Sequence, residues 1–231
     1  MNRERLERQI TLLGEEETLM LTKASVMIFG IGGVGSYTAE ALARSGVGKI
    51  ILVDFDTVSP SNINRQLIAD TTTVGMKKTA VMAERIRRIN PDCDVVEKDV
   101  FVTKDNAHEL IGGEKPDFVV DAIDNVSAKI AIIEYCKANG IRIVSSMGTG
   151  NKLDPMKFSV VDINQTSVCP LARVMRRELK TRGITGVNVL FSTEEPVVRG
   201  ERVPASVAFV PSVAGLLLAR HVVLELSSRE K

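Results

Sequence analysis

The chain has 231 residues, 44% of them hydrophobic, and 30 Lys and Arg balance 29 Asp and Glu to a formal net charge of +1. That supplies apolar material for one large domain or two small ones, and it excludes a globally cationic binder of nucleic acid or membrane. The three cysteines, Cys93, Cys136 and Cys169, are far apart and form no CxxC pair. Neither a zinc site nor a disulfide framework is expected, and the odd count without a signal peptide fits a reducing cytoplasm.

Residues up to about Lys23 read as an amphipathic helical arm, with Arg3, Arg5, Glu7 and Arg8 at its start and Leu12, Leu13, Leu19 and Leu21 as apolar contacts. An apolar run, Val26–Phe29, then meets Gly30-Ile31-Gly32-Gly33-Val34-Gly35, a helical pattern through Ala39, Leu42 and Ala43, and a second apolar run, Ile50–Val53, that ends on Asp54. This is strand, glycine-rich turn, helix, strand. Glycines let the backbone turn tightly and lie against a phosphate chain, whose charge the following helix N-terminus attracts. Asp54 stands roughly 20 residues past the turn, where a carboxylate meets ribose hydroxyls.

No period runs through Phe55 to Val74, which holds Asp56, Ser61, Asn62, Asn64, Arg65, Gln66 and Asp70. A connection of that length is usually functional or mobile. A helix is predicted over Met76–Asn90. Lys78 in its first turn opposes the helix dipole and lacks an evident structural reason, which an anionic ligand would supply; an ordinary exposed lysine is the plainer alternative. Val95-Val96 reads as a third strand, Lys104–Ile111 as a weak helix, and Phe118–Asp121 as a fourth strand whose acidic end, Asp121 to Asn125, emerges at a carboxyl edge. Ala128–Asn139 is the next helix and Ile141–Val144 the fifth strand. The β-α alternation predicts an α/β, Rossmann-like, mostly parallel sheet with helices on both faces and ligands outside its carboxyl edge.

In the last third, Lys157–Asp162 and Val187–Phe191 read as strands that extend the sheet. Pro170–Thr181 reads as a basic helix, and a long loop is expected over Ser192–Pro204. Val207–Leu226 is interrupted by Pro211 and contains Arg220 and His221. It predicts a buried strand end over Val207–Val210 and then a core or dimer helix. A bilayer span is not expected, since it needs about 20 predominantly apolar residues. The whole is read as a single domain: an arm over 1–24, a core over 25–150 and an extension over 151–231.

Asp54, Asn62, Arg65, Gln66, Lys78 and Asp124 should all face the carboxyl edge. A redox dinucleotide needs only the glycine turn and the ribose acid. Attack on the α-phosphate of ATP also needs cations to offset charge on the phosphate oxygens, here Arg65 and Lys78. It needs a carboxylate for Mg²⁺, here Asp124, because Mg²⁺ takes few protein ligands and keeps phosphate and water. No GxxxxGK[ST] loop occurs. Cys169 invites a thioester role, but burial is the usual fate of a free cysteine; Cys136 reads as core and Cys93 as an exposed bystander in a turn.

The set Gly30-x-Gly32-Gly33-x-Gly35, Asp54-Phe55-Asp56, Ser61-Asn62-Ile63-Asn64-Arg65-Gln66, Gly75-x-x-Lys78 and Asp124-Asn125 resembles the ThiF/MoeB superfamily, which includes ubiquitin-activating enzymes. By resemblance, these positions take ATP with Asp124 on magnesium, and Arg8 resembles an arginine that in some relatives reaches the nucleotide of the other subunit. The zinc CxxC pairs common in ThiF- and MoeB-like enzymes are missing. Across nearly its whole length the chain instead resembles the tRNA threonylcarbamoyladenosine dehydratases, through Val81–Arg87, Ile89-Asn90-Pro91, Phe101-Val102-Thr103, Pro170-Leu171-Ala172 and Val189–Glu194.

That resemblance implies ATP-dependent adenylation of the threonylcarbamoyl carboxylate beside the anticodon, ring closure by an internal nitrogen, and net loss of water. It also implies a homodimer and a tRNA substrate, and leaves a sulfur-relay protein open as a further partner. For tRNA the local candidate is Arg173–Arg182, with Arg176 and Arg177 foremost, against the alternative of a solvated helix face. Three rivals stand beside this reading: a MoeB-like enzyme adenylating a ubiquitin-like sulfur carrier, a nicotinamide oxidoreductase, and a nucleotide-binding scaffold in a sulfur relay.

Overall fold

The computed structural model describes residues 2–198 and 204–227; part of the loop expected over Ser192–Pro204 lies outside them. Seven strands form one sheet: β1 (Ser25–Phe29), β2 (Lys49–Val53), β3 (Asp94–Lys98), β4 (Phe118–Asp121), β5 (Arg142–Ser146), β6 (Phe158–Asp162) and β7 (Asn188–Ser192). Their order is β3-β2-β1-β4-β5-β7-β6. Among these strands only the β6–β7 pair is antiparallel. β1 and β4 are buried along almost their whole length, as continuous apolar strands in a doubly covered parallel sheet must be.

Alternation of side chains sends Ile28, Leu52 and Val120 to one face and Phe29, Val53 and Val119 to the other. The first face is covered by α3 (Gly35–Arg44), α4 (Lys78–Ile89) and α8 (Phe209–Ser227). The second is covered by α5 (Ala107–Glu114), α6 (Val126–Ala138) and α7 (Pro170–Thr181). The arm is two helices, α1 (Arg3–Leu13) and α2 (Glu15–Lys23), with Gly14 between them.

Several expected boundaries move. Residues 207–210 do not form a strand: α8 begins at Phe209, and Pro211 sits in its first turn, where a missing N–H costs nothing. α8 is long and apolar enough to cross a membrane by length and composition, but here it packs on α2, α3 and the sheet. α4 starts at Lys78, two residues late, because Lys77 is held in a bridge with Thr57. α5 starts at Ala107 because Thr103 and Asn106 tie each other's backbone into a turn, with N–H contacts of 2.8 and 3.3 Å. Cys93 is no exposed bystander: it is buried in the core against the base of β2, and burial pushes its thiol up to about 12.

Candidate functional site

The strand order reverses between β1 and β4, and a doubly wound sheet opens a crevice at that switch point. A cavity of about 510 Å³ lies there, at the carboxyl edge. Its wall includes Gly30, Gly32, Gly33, Asp54, Asp56, Asn62, Arg65, Gln66, Lys78, Asp124 and Asn125, which is most of the set expected from the sequence. A second cavity of about 460 Å³ lies at the amino edge beside α1, where Arg5 is already spent on Asp92 (2.5 Å) and the Ile89 carbonyl.

Two glycines are fixed by close approach. Gly30 has φ +86, and a Cβ there would lie 2.8 Å from the Ala122 carbonyl oxygen; one on Gly35 would lie 1.8 Å from the Gly30 oxygen. Gly35 therefore sits behind the loop, outside the cavity wall, and packs α3 onto β1. α3 has no side-chain N-cap; its Ser36 N–H donates to the Gly32 carbonyl (3.1 Å), and the positive end of its dipole faces the glycine loop.

Asp54 follows β2 and holds the glycine loop: its Oδ2 accepts from the Ile31 N–H (2.6 Å) and its Oδ1 from the Asp56 N–H (2.9 Å). Ser61 and Asn64 do not line the cavity. Both instead accept from Arg65 Nη1, at the Ser61 carbonyl (2.8 Å) and Asn64 Oδ1 (2.9 Å), and so aim its guanidinium. Asn62 Oδ1 is taken by the Ser59 N–H (3.1 Å), and Asn125 Oδ1 caps α6 through the Ala128 N–H (3.0 Å). With their acceptors tied off, both amides keep N–H donors for an anion. Gln66 is buried with its Oε1 unpaired among the described residues.

Lys78 has a structural reason that the sequence did not show. Only 5% exposed, it places Nζ 2.7 Å from Asp56 Oδ2 across the cavity floor. One ammonium proton is used there, leaving donors for a phosphate. Asp124 is exposed at the rim. No group of three or more potential metal-ligating side chains exists among the described residues. A single carboxylate at the rim of a cavity can still serve Mg²⁺, which takes one or two carboxylates when phosphate and water complete its shell.

Arg8 is exposed on α1 and stands outside the wall of this cavity. Asp121 does not emerge at the edge as expected. It is fully buried and paired with Lys129, also fully buried, at 2.9 Å. Sequence reasoning missed Lys129; the signal was a lysine on the apolar face of α6, one turn before Ile132 and Ile133.

Phe55 and Phe101, an edge-to-face pair 4.6 Å apart, also line the cavity, as do Gly148, Thr149 and Leu171. Cys169 precedes α7 and is buried, and burial pushes the Cys136 thiol up to about 12. On α7, Arg176 is committed to the Thr166 carbonyl (2.7 Å) and hydroxyl, so it is not the free cation expected. Arg173, Arg177 and Lys180 are exposed at helical spacing, with Arg177 also on Glu178 (3.0 Å).

The sequence model of the ThiF family matches residues 6–230. The chain is 43% identical over 232 residues to a tRNA threonylcarbamoyladenosine dehydratase of Bacillus subtilis, covering 93% of this chain and 91% of that protein. It is 43% identical over 200 residues to a protein of the same name from Escherichia coli, covering 83% and 74%. The crystal structure of the E. coli dehydratase TcdA in complex with ATP superposes with a TM-score of 0.91 at 39% identity, covering 97% of this chain and 94% of that one.

Proposed function

Because this chain belongs to the ThiF family, with near full-length likeness to its tRNA-dehydratase branch, we propose that it is an ATP-dependent tRNA threonylcarbamoyladenosine dehydratase. The observation that carries this is the convergence of Arg65, Lys78 and Asp124 on one cavity beneath a glycine loop and an uncapped helix N-terminus. A carboxylate oxygen of the threonylcarbamoyl group attacks the α-phosphorus of ATP. The bond from that phosphorus to the bridging oxygen breaks, and pyrophosphate leaves. A nitrogen within the same group then attacks the activated carbonyl carbon, loses its proton and expels AMP. The carboxylate oxygen departs on AMP, so the nucleoside loses the elements of water.

Ring closure is intramolecular, and holding the two ends together supplies most of what it needs. Arg65 and Lys78 offset charge on the phosphates; Asp54 takes the ribose hydroxyls; Asn62, Gln66 and Asn125 donate to phosphate oxygens. Asp124 would hold Mg²⁺, which when bound neutralises phosphate charge. No enzyme nucleophile is required, and buried Cys169 fits a packing role.

Three further readings belong to this proposal. The exposed line Arg173, Arg177 and Lys180 starts within one turn of Leu171 on the cavity wall, which supports it as a track for tRNA phosphates. Exposed Leu12, Leu19, Leu216 and Leu224 on the packed helices α1, α2 and α8 support a homodimer, in which Arg8 would reach the partner's nucleotide. One continuous sheet running from core to extension supports a single domain over the whole chain.

The test is isotopic. With substrate labelled with ¹⁸O in the carboxylate, the proposal expects one label in the AMP formed. Cyclised nucleoside with unlabelled AMP would contradict it.

A further inference from the structure

We infer that Lys129, together with Asp121, is a positioning residue for Asp124; this rests on the reading of Asp124 as the magnesium-holding carboxylate. Lys129 and Asp121 are both fully buried. Lys129 Nζ lies 2.9 Å from Asp121 Oδ2 and donates to the Ile123 carbonyl at 2.9 Å. Asp121 Oδ2 also accepts from the Ser145 hydroxyl on β5 at 2.6 Å, and its Oδ1 accepts from the Ile123 N–H at 3.3 Å. The pair therefore grips the residue immediately before Asp124 at its N–H and its carbonyl.

The same turn is fixed from the other side. Ala122 donates to the Phe29 carbonyl at 2.8 Å, and Gly30 packs so closely that a Cβ would strike the Ala122 carbonyl. Moving the turn would move both the glycine loop and Asp124.

Stability alone does not account for the pair. A buried ion pair commonly gains nothing over apolar side chains of similar volume. Lys129 points from an α6 face otherwise filled by Ile132, Ile133 and Cys136, where methionine would fit without desolvating a charge. What methionine cannot do is donate to the Ile123 carbonyl.

The experiment compares wild type, Lys129→Arg and the neutral double variant Asp121→Asn/Lys129→Met. Melting temperature, ATP affinity by calorimetry in EDTA and in Mg²⁺, and kcat with tRNA are measured for each. Expected is unchanged ATP affinity in EDTA, loss of the Mg²⁺-dependent gain in affinity in the double variant, and kcat lower by about 10²-fold, the scale of a misplacement near 1 Å. Lys129→Arg keeps the charge but, being longer, cannot hold both contacts in the same enclosed space. Its kcat should fall about tenfold while overpacking lowers the melting temperature by only about 2–10 °C, so it stays folded and decides the matter if the double variant does not fold.

Wild-type kcat and Mg²⁺ dependence in a folded variant would overturn the inference. If wild type itself shows no Mg²⁺-dependent gain, the metal reading of Asp124 fails instead.

Discussion

Lys78→Met separates structural from catalytic work at the cavity floor. Methionine keeps most of the buried stem and deletes the ammonium. What is lost in the fold is one ion pair of 2.7 Å whose other member, Asp56, has a side chain 47% exposed. Water can solvate the carboxylate left behind, so the loss should resemble that of a surface pair, about 1 kcal/mol or less. For a domain of this size that lowers the melting temperature by about 2–4 °C.

In the reaction the same ammonium faces developing phosphate charge inside a cavity, where one preorganised donor is worth about 10²–10³ in rate, roughly 2.7–4 kcal/mol. The variant should therefore stay folded while kcat/KM for ATP falls by at least about 10²-fold, read by pyrophosphate release and by thermal melting on the same sample. A fall in melting temperature of tens of degrees with kcat/KM within threefold of wild type would refute the reasoning and leave Lys78 a structural residue.

Asp124→Ala should abolish tRNA- and Mg²⁺-dependent pyrophosphate release while circular dichroism stays unchanged, since Asp124 is exposed at the cavity rim; unchanged turnover would remove it from the metal role. Charge reversal at Arg173, Arg177 and Lys180 together should weaken tRNA binding and flatten its log–log salt slope by about 1 for each phosphate no longer neutralised. ATP affinity should be unaffected, and an unaltered slope would reject that track. Burial holds the Cys93 and Cys136 thiols near 12, so they stay protonated well above neutral pH. Native protein should resist alkylation at both up to about pH 9 and lose that resistance in guanidinium, which mass mapping would show.

The parts of the fold legible in the sequence were those written in local pattern. β1, β2, β4 and α7 lie within a residue of their expected positions because apolar runs, glycines and Pro170 mark them one by one. The cavity residues were legible through the glycine loop and the spaced polar set from Asp54 to Lys78. Errors arose where local signals had two meanings. Val207–Val210 looks like a strand because valines favour strands, but Pro211 is equally at home in a helix's first turn.

Long-range burial was legible only in part: Cys136 reads as core and is buried, but other positions mislead. Cys93 follows a turn that happens to fold back under β2, and Asp121 looks like an edge acid until Lys129, eight residues on, rotates into the core to meet it. Arg176 likewise reads as a free cation until Thr166 is brought beneath it.

The most direct test is mass analysis of the modified nucleosides in tRNA bearing threonylcarbamoyladenosine after incubation with this protein, ATP and Mg²⁺. The threonylcarbamoyladenosine should be replaced, only when ATP is present, by a nucleoside one water lighter, with one AMP per conversion. Unchanged nucleosides alongside adenylation of a ubiquitin-like protein tail would contradict the account.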